Sequence, residues 1–221
     1  MNYKTKTILK TAVATFLVLS FFIFFEVDVN LSYFQEEGGQ AQESSQSISE
    51  TSLSVLPTGT PEVYGAELDL EYEDVSADDP AGADRAIQKM ATLDREIDLE
   101  GEDLERYIHL LYEKEGGISC EYCCGARSII FENGDPACGC AHSFAMRGIA
   151  KYLITEYGGE VNDEEILEEV GKWKVRFFPG AHQQKAEVLE EEGISTDYVT
   201  LTTNTYRGIE DGSQGGMVGG C

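Results

Sequence analysis

The sequence predicts a mainly α protein: a small helical domain with a short β-hairpin inserted at a cysteine cluster, preceded by a membrane helix and a disordered linker. Three observations carry that prediction. Apolar residues recur at helical spacing between residues 84 and about 195. An Asn133-Gly134 pair, the favoured hairpin turn, follows a β-branched run at Arg127–Phe131. Five of the six cysteines crowd into residues 120–140.

The N-terminal part reads as an anchor and a tether. Lys4, Lys6 and Lys10 precede an uncharged run, Thr11 to Phe25. Fifteen residues are short of the ~20 that a span needs, but Ile8, Leu9 and a snorkelling Lys10 extend the run. The segment after it, FFEVDVNLSYF, lacks the small residues of a cleavage site. The reading is therefore an uncleaved signal anchor over residues 1–27, inserted through residues 8–27. The lysines hold the N-terminus in the cytoplasm and place the remainder on the extracytoplasmic side of the cell membrane. Residues 28–83 read as an acidic disordered tether, with no Lys or Arg between Lys10 and Arg85. Such a chain spans about 45 Å between its ends.

Charge narrows the function classes. The 221 residues include 41 acidic and 16 basic ones, for a formal net charge of −25. A field of that sign repels phosphate polyanions, so nucleic acid is excluded as a partner. No Ser-His-Asp set, phosphate loop or paired-carboxylate motif stands out, and whether the protein is an enzyme stays open.

The helical cysteine-cluster domain is bounded at 84–195. Asp84 is the expected cap of a first helix through Ile87, Met90, Leu93 and Ile97. Leu104, Ile108, Leu111 and Tyr112 belong to a second, ending at Gly116-Gly117. A third starts near Ala141 and ends at Gly158-Gly159. Asn162 caps a fourth through Ile166, Val170, Trp173 and Phe177, where Lys172, Lys174 and Arg176 complement the helix dipole. A fifth runs from about Ala181 to Glu192. Residues 196–221 read as a C-terminal tail, extended in its threonine-rich part and mobile in its glycine-rich part.

The chemistry lies in C120-E-Y-C123-C124-G and A-C138-G-C140-A-H142. A Cys-x-x-Cys turn converges two sulfurs on one ion, and the hairpin returns Cys138 and Cys140 beside it at a helix N-terminus. Free N–H groups there favour thiolate, the form that binds soft metals or attacks disulfides. Knuckle, hairpin and helix together are treble-clef-like, although Cys-x-Cys departs from the usual second pair. The expected metal ligands are Cys120, Cys123, Cys138 and Cys140, with Cys124, His142, His182 and Cys221 accessory. Zinc is the first choice of ion, copper(I) the next, and an iron–sulfur cluster stands behind both. The function read from this is a membrane-tethered extracytoplasmic metal-binding domain, structural or metal-handling, with a metal or thiol exchange partner. Two alternatives stand beside it: an extracytoplasmic thiol–disulfide oxidoreductase, and a surface spacer stapled by disulfides.

With CEYCCG and ACGCAH in view, residues about 118–170 resemble the PCYCGC-motif family of exported cysteine-rich proteins. The acidic DEEILEEV after Gly158-Gly159 adds to the likeness. The resemblance implies an exported cysteine site and no particular activity.

Overall fold

The fold is built on two 17-residue helices, Pro80–Glu96 and Ala141–Tyr157, which pack along much of their length. The computed structural model describes residues 55–123, 125–210 and 216–219. Two units divide the chain, Met1–Glu43 and Ser44–Cys221, and all described residues belong to the second. The expected anchor over 1–27 lies outside the described residues. Among those described, no helix is long and apolar enough to cross a membrane.

The helices are α1 Gly65–Leu68, α2 Pro80–Glu96, α3 Gly101–Ile108, α4 Ala141–Tyr157, α5 Asp163–Phe177, α6 Pro179–Glu191 and α7 Tyr198–Thr202. Helix α2 begins one turn before the expected Asp84 cap. Pro80 supplies a first-turn residue without an N–H to satisfy, and Asp79 Oδ1 accepts from Gly82 N at 3.0 Å. Helix α5 is capped as its sequence predicts: Asn162 Oδ1 accepts from Glu164 N and Glu165 N, and Glu165 reaches back to Asn162 N.

Contact between α2 and α4 depends on Gly148. A Cβ there would stand 2.1 Å from the Met90 carbonyl oxygen, so only glycine permits this approach. One turn along the same seam lies a buried charge cluster. The Arg147 guanidinium sits 2.8 Å from Asp94 Oδ2, and Lys151 Nζ lies 2.9 Å from Asp94 Oδ1.

The folded body begins well before Asp84, which shortens the expected tether. Tyr64, Leu70, Tyr72 and Val75 are buried in the same core as α2, α4 and α5. Tyr64 and Tyr72 both donate to Glu169 Oε2, at 2.9 and 2.7 Å, and Trp173 Nε1 donates to the Tyr64 hydroxyl. The acidic surface of ELDLEYEDV conceals these apolar positions.

Three further expectations are corrected. The β-hairpin is not formed: no named strand occurs among the described residues, and the reversal at Glu132–Asn133 closes on a single antiparallel bridge between Ile130 and Pro136. Pro136 has no N–H with which to extend a ladder. The threonine-rich stretch is helical rather than extended. Asp197 caps α7 by accepting from Thr200 N at 2.8 Å, and this local capping outweighs the β-propensity of the threonines. The glycine-rich tail is anchored at Val218, which is buried and donates its N–H to the Phe177 carbonyl at 2.9 Å.

Candidate metal centre

The cysteine loop is held from several sides before it reaches any ligand. Helix α3 continues through a π-turn, His109–Glu113, and a 3-10 turn ending at Gly116. Gly117 follows at φ +84, where a Cβ would meet the Leu111 carbonyl oxygen at 2.7 Å. Ile118 then bridges Thr203, donates its N–H to the Leu111 carbonyl and accepts from Ile129 N at its own carbonyl. Asn204 Nδ2 donates to the Gly116 and Arg127 carbonyls, and Arg207 donates to those of Gly125 and Ala126. From the core side, Arg147 Nη1 donates to the carbonyls of Ile129 and Cys138, at 3.2 and 2.9 Å.

These restraints bring three sulfurs together. Cys120 and Cys140 Sγ are 3.3 Å apart and Cys138 and Cys140 Sγ 3.7 Å, with all three within 4.8 Å of one another. Tetrahedral zinc with bonds of about 2.3 Å sets its sulfurs about 3.8 Å apart; the Cys138–Cys140 pair meets that spacing, and the Cys120–Cys140 pair is tighter. Cys120 and Cys138 are buried, and Cys140 is half-buried. The cluster can hold a metal ion.

Cys140 is also the N-cap of α4. Its sulfur accepts from Ser143 N at 3.4 Å and lies 3.2 Å from the Ser143 hydroxyl. The hydrogen bond with Cys120 holds the Cys140 thiol well below its ordinary range, helped by His142 and Ser143 against the effect of burial. Cys120 is displaced upward by the same bond and by burial. Cys140 also stands at the positive end of the helix, which favours the thiolate form.

Beyond the sulfurs lies a second cluster. Glu121 takes a left-handed backbone, φ +41, costly for a residue with a side chain. Its carboxylate accepts from Gly208 N at 2.8 Å and pairs with Lys174 Nζ at 3.3 Å and Lys185 Nζ at 3.7 Å. Both lysine side chains are fully buried. Burial pushes the Lys174 ammonium down to about 8, while Glu121 holds it up. Glu121 itself lies below the usual carboxylate range: burial works against ionisation, and the two ammoniums outweigh it.

Of the other expected site residues, Cys123 lies exposed on the turn, outside the group of three. Cys124 and Cys221 fall outside the described residues. His142 is buried at the start of α4, with Nε2 2.8 Å from the Val218 carbonyl oxygen. His182 is buried against Tyr122, its Nδ1 2.9 Å from the Phe178 carbonyl oxygen. His109 is exposed and pairs with Glu113. The sequence reading missed Glu121, Lys174, Lys185 and Val218. A signal for Lys174 existed: it sits four residues after Val170 and three before Phe177, on the apolar face of α5.

Burial, followed by the charges of Lys174 and Lys185, holds His182 well below its ordinary value. A base with a depressed folded value contributes stability above its unfolded value, about 6.5, and loses it as pH falls below that. The thermal midpoint is expected to drop between pH 7.5 and 5.5, and His182→Gln should flatten that drop in melts over the same range. An equally steep fall in the variant would assign the pH dependence elsewhere.

Compared with protein-family models, with curated proteins and with solved structures, the chain matches none. The class of protein thus rests on its own geometry: a helical domain with a thiol triad, two members buried and one half-buried, at a helix N-terminus.

Proposed function

We propose that the protein is a membrane-tethered, extracytoplasmic metal-binding domain that holds one zinc ion through Cys120, Cys138 and Cys140. The observation that carries this reading is the convergence of the three sulfurs within 4.8 Å at the head of α4. Charge supports zinc over copper(I). Lys174, Lys185 and Arg207 against Glu121 and Glu210 leave about one positive charge in this group, and Lys174 acts on Cys120. A divalent ion with three thiolates and a neutral fourth ligand carries one negative charge, which that surplus compensates. Copper(I) with three thiolates carries two, and buried charge is costly when uncompensated.

The location rests on the lysine-flanked apolar run, supported by the resemblance of residues 118–170 to an exported cysteine-rich family. A metal-handling role requires a partner that exchanges the ion.

A second reading, thiol–disulfide exchange, rests on the 3.3 Å approach of Cys120 and Cys140. Their oxidation to a disulfide would release two electrons and two protons to an acceptor disulfide, which becomes two thiols. One experiment separates the readings. The full chain, purified in detergent under reducing conditions, is expected to contain close to one zinc per chain by elemental analysis, with three or more thiols slow to react until chelator is added. Metal-free protein with a reversible two-electron couple would overturn the metal reading.

A further inference from the structure

We propose that the fourth ligand of the metal centre is Nδ1 of His142, and that the C-terminal segment Gly216–Gly219 is the clasp that prepares it. This inference rests on the metal reading above and extends it to a position that no thiol in the described group fills.

The first argument is the tautomer. His142 Nε2 lies 2.8 Å from the Val218 carbonyl oxygen, which can only accept, so Nε2 carries the hydrogen. A neutral imidazole then has a bare lone pair at Nδ1. That atom is buried without a hydrogen-bond partner, in a residue with no exposed surface. A buried acceptor left unsatisfied is costly, and coordination to a metal ion removes the cost. A backbone carbonyl holding one ring nitrogen while the other meets the metal is the usual support of a ligating histidine.

The second argument is position. His142 is two residues after Cys140 on the same first turn of α4, with its ring packed against Phe177 and Phe178 at centroid distances of 4.7 and 5.1 Å. Its ring nitrogens lie outside the group of three sulfurs that stand within 4.8 Å of one another, so coordination draws the ring inward from this position. His182, the other buried histidine, is acted on by the ammoniums of Lys174 and Lys185 instead. A neutral nitrogen in fourth place also gives the single negative charge that those ammoniums balance, whereas a fourth thiolate would add another.

The clasp is a small structure of its own. Val218 buries its side chain, donates to Phe177 and accepts from His142. Gly219 follows at φ +82, and a Cβ there would stand 2.2 Å from Ile87 Cδ1. Val218 is thus a positioning residue: it touches the imidazole, and through it sets which nitrogen faces the ion.

The test uses the full chain in detergent micelles, loaded with ¹¹³Cd and labelled with ¹⁵N-histidine. The expected result is one scalar coupling between cadmium and the Nδ1 of a single histidine, kept in His109→Asn and lost in His142→Ala. Bound cadmium with no coupling to His142 would overturn the proposal and leave the three-thiolate reading standing. Absence of any bound cadmium would overturn that reading itself. The clasp is tested without touching a ligand: Gly219→Ala is expected to speed cadmium exchange by about 10- to 100-fold and to disturb the Nε2–H tautomer pattern. An unaltered exchange rate and tautomer in Gly219→Ala would remove the clasp from the proposal.

Discussion

Replacing Cys120, Cys138 or Cys140 with serine, one at a time, is expected to lower zinc affinity by more than about 100-fold. Loss of an outer-shell partner alone costs about 10- to 100-fold, and a thiolate bonded directly to the ion contributes more. Cys140→Ser is the most informative of the three. Serine is a good N-cap, so α4 keeps its cap on the Ser143 N–H, and the change removes the metal bond while sparing the helix. Its metal-free melting temperature should therefore stay near that of the unaltered protein, while its affinity falls with that of the other two variants. Cys123→Ser, at an exposed position outside the triad, should change affinity far less. Competition against a chromophoric chelator measures all four. Equal losses at Cys123 and at the triad would place Cys123 on the ion.

Arg147→Met is expected to destabilise the fold by about 3–5 kcal/mol, the usual cost of leaving one member of a buried ion pair alone. Arg147 is fully buried, with Nε 2.9 Å and Nη2 2.8 Å from Asp94 Oδ2. Its Nη1 also satisfies the carbonyls of Ile129 and Cys138. The guanidinium therefore ties the α2–α4 seam to the strandless loop that delivers Cys138. Metal-free protein should show the loss in urea melts, and the metal should dissociate faster because Cys138 is held less firmly. The double change Asp94→Leu with Arg147→Met should recover part of the stability, since an apolar pair replaces the orphaned carboxylate. A loss below about 1 kcal/mol for Arg147→Met would show that Lys151 alone neutralises Asp94.

The cysteine block was legible because its chemistry is local. Cys138 and Cys140 lie two residues apart at a helix start that the apolar spacing marks near Ala141, and a turn returns them towards Cys120. The caps of α5 and the break at Gly158 are legible for the same reason: each is decided by residues within one turn. What was hidden depends on distant partners. Lys174 looks like a dipole complement until Glu121, 53 positions away in the chain, comes to meet it in the core. Tyr64 and Tyr72 sit in a tract whose surface acidity suggests a tether, and their burial depends on Glu169 and Trp173. Val218 sits among glycines that predict mobility, and only the imidazole of His142 and the Phe177 carbonyl give its backbone a place. Of the expected hairpin only the turn forms, because Asn-Gly fixes a turn but not the strands beside it. Pro136 and the inward pull of Arg147 on the Ile129 and Cys138 carbonyls leave little ladder to form.

The central claim is that Cys120, Cys138 and Cys140 bind one ion together. X-ray absorption at the metal edge of the full chain, purified under reducing conditions, tests it most directly. The account predicts zinc with three sulfur scatterers at about 2.3 Å and one nitrogen at about 2.0–2.1 Å. A shell of oxygen and nitrogen alone, or one with fewer than three sulfurs, would contradict it.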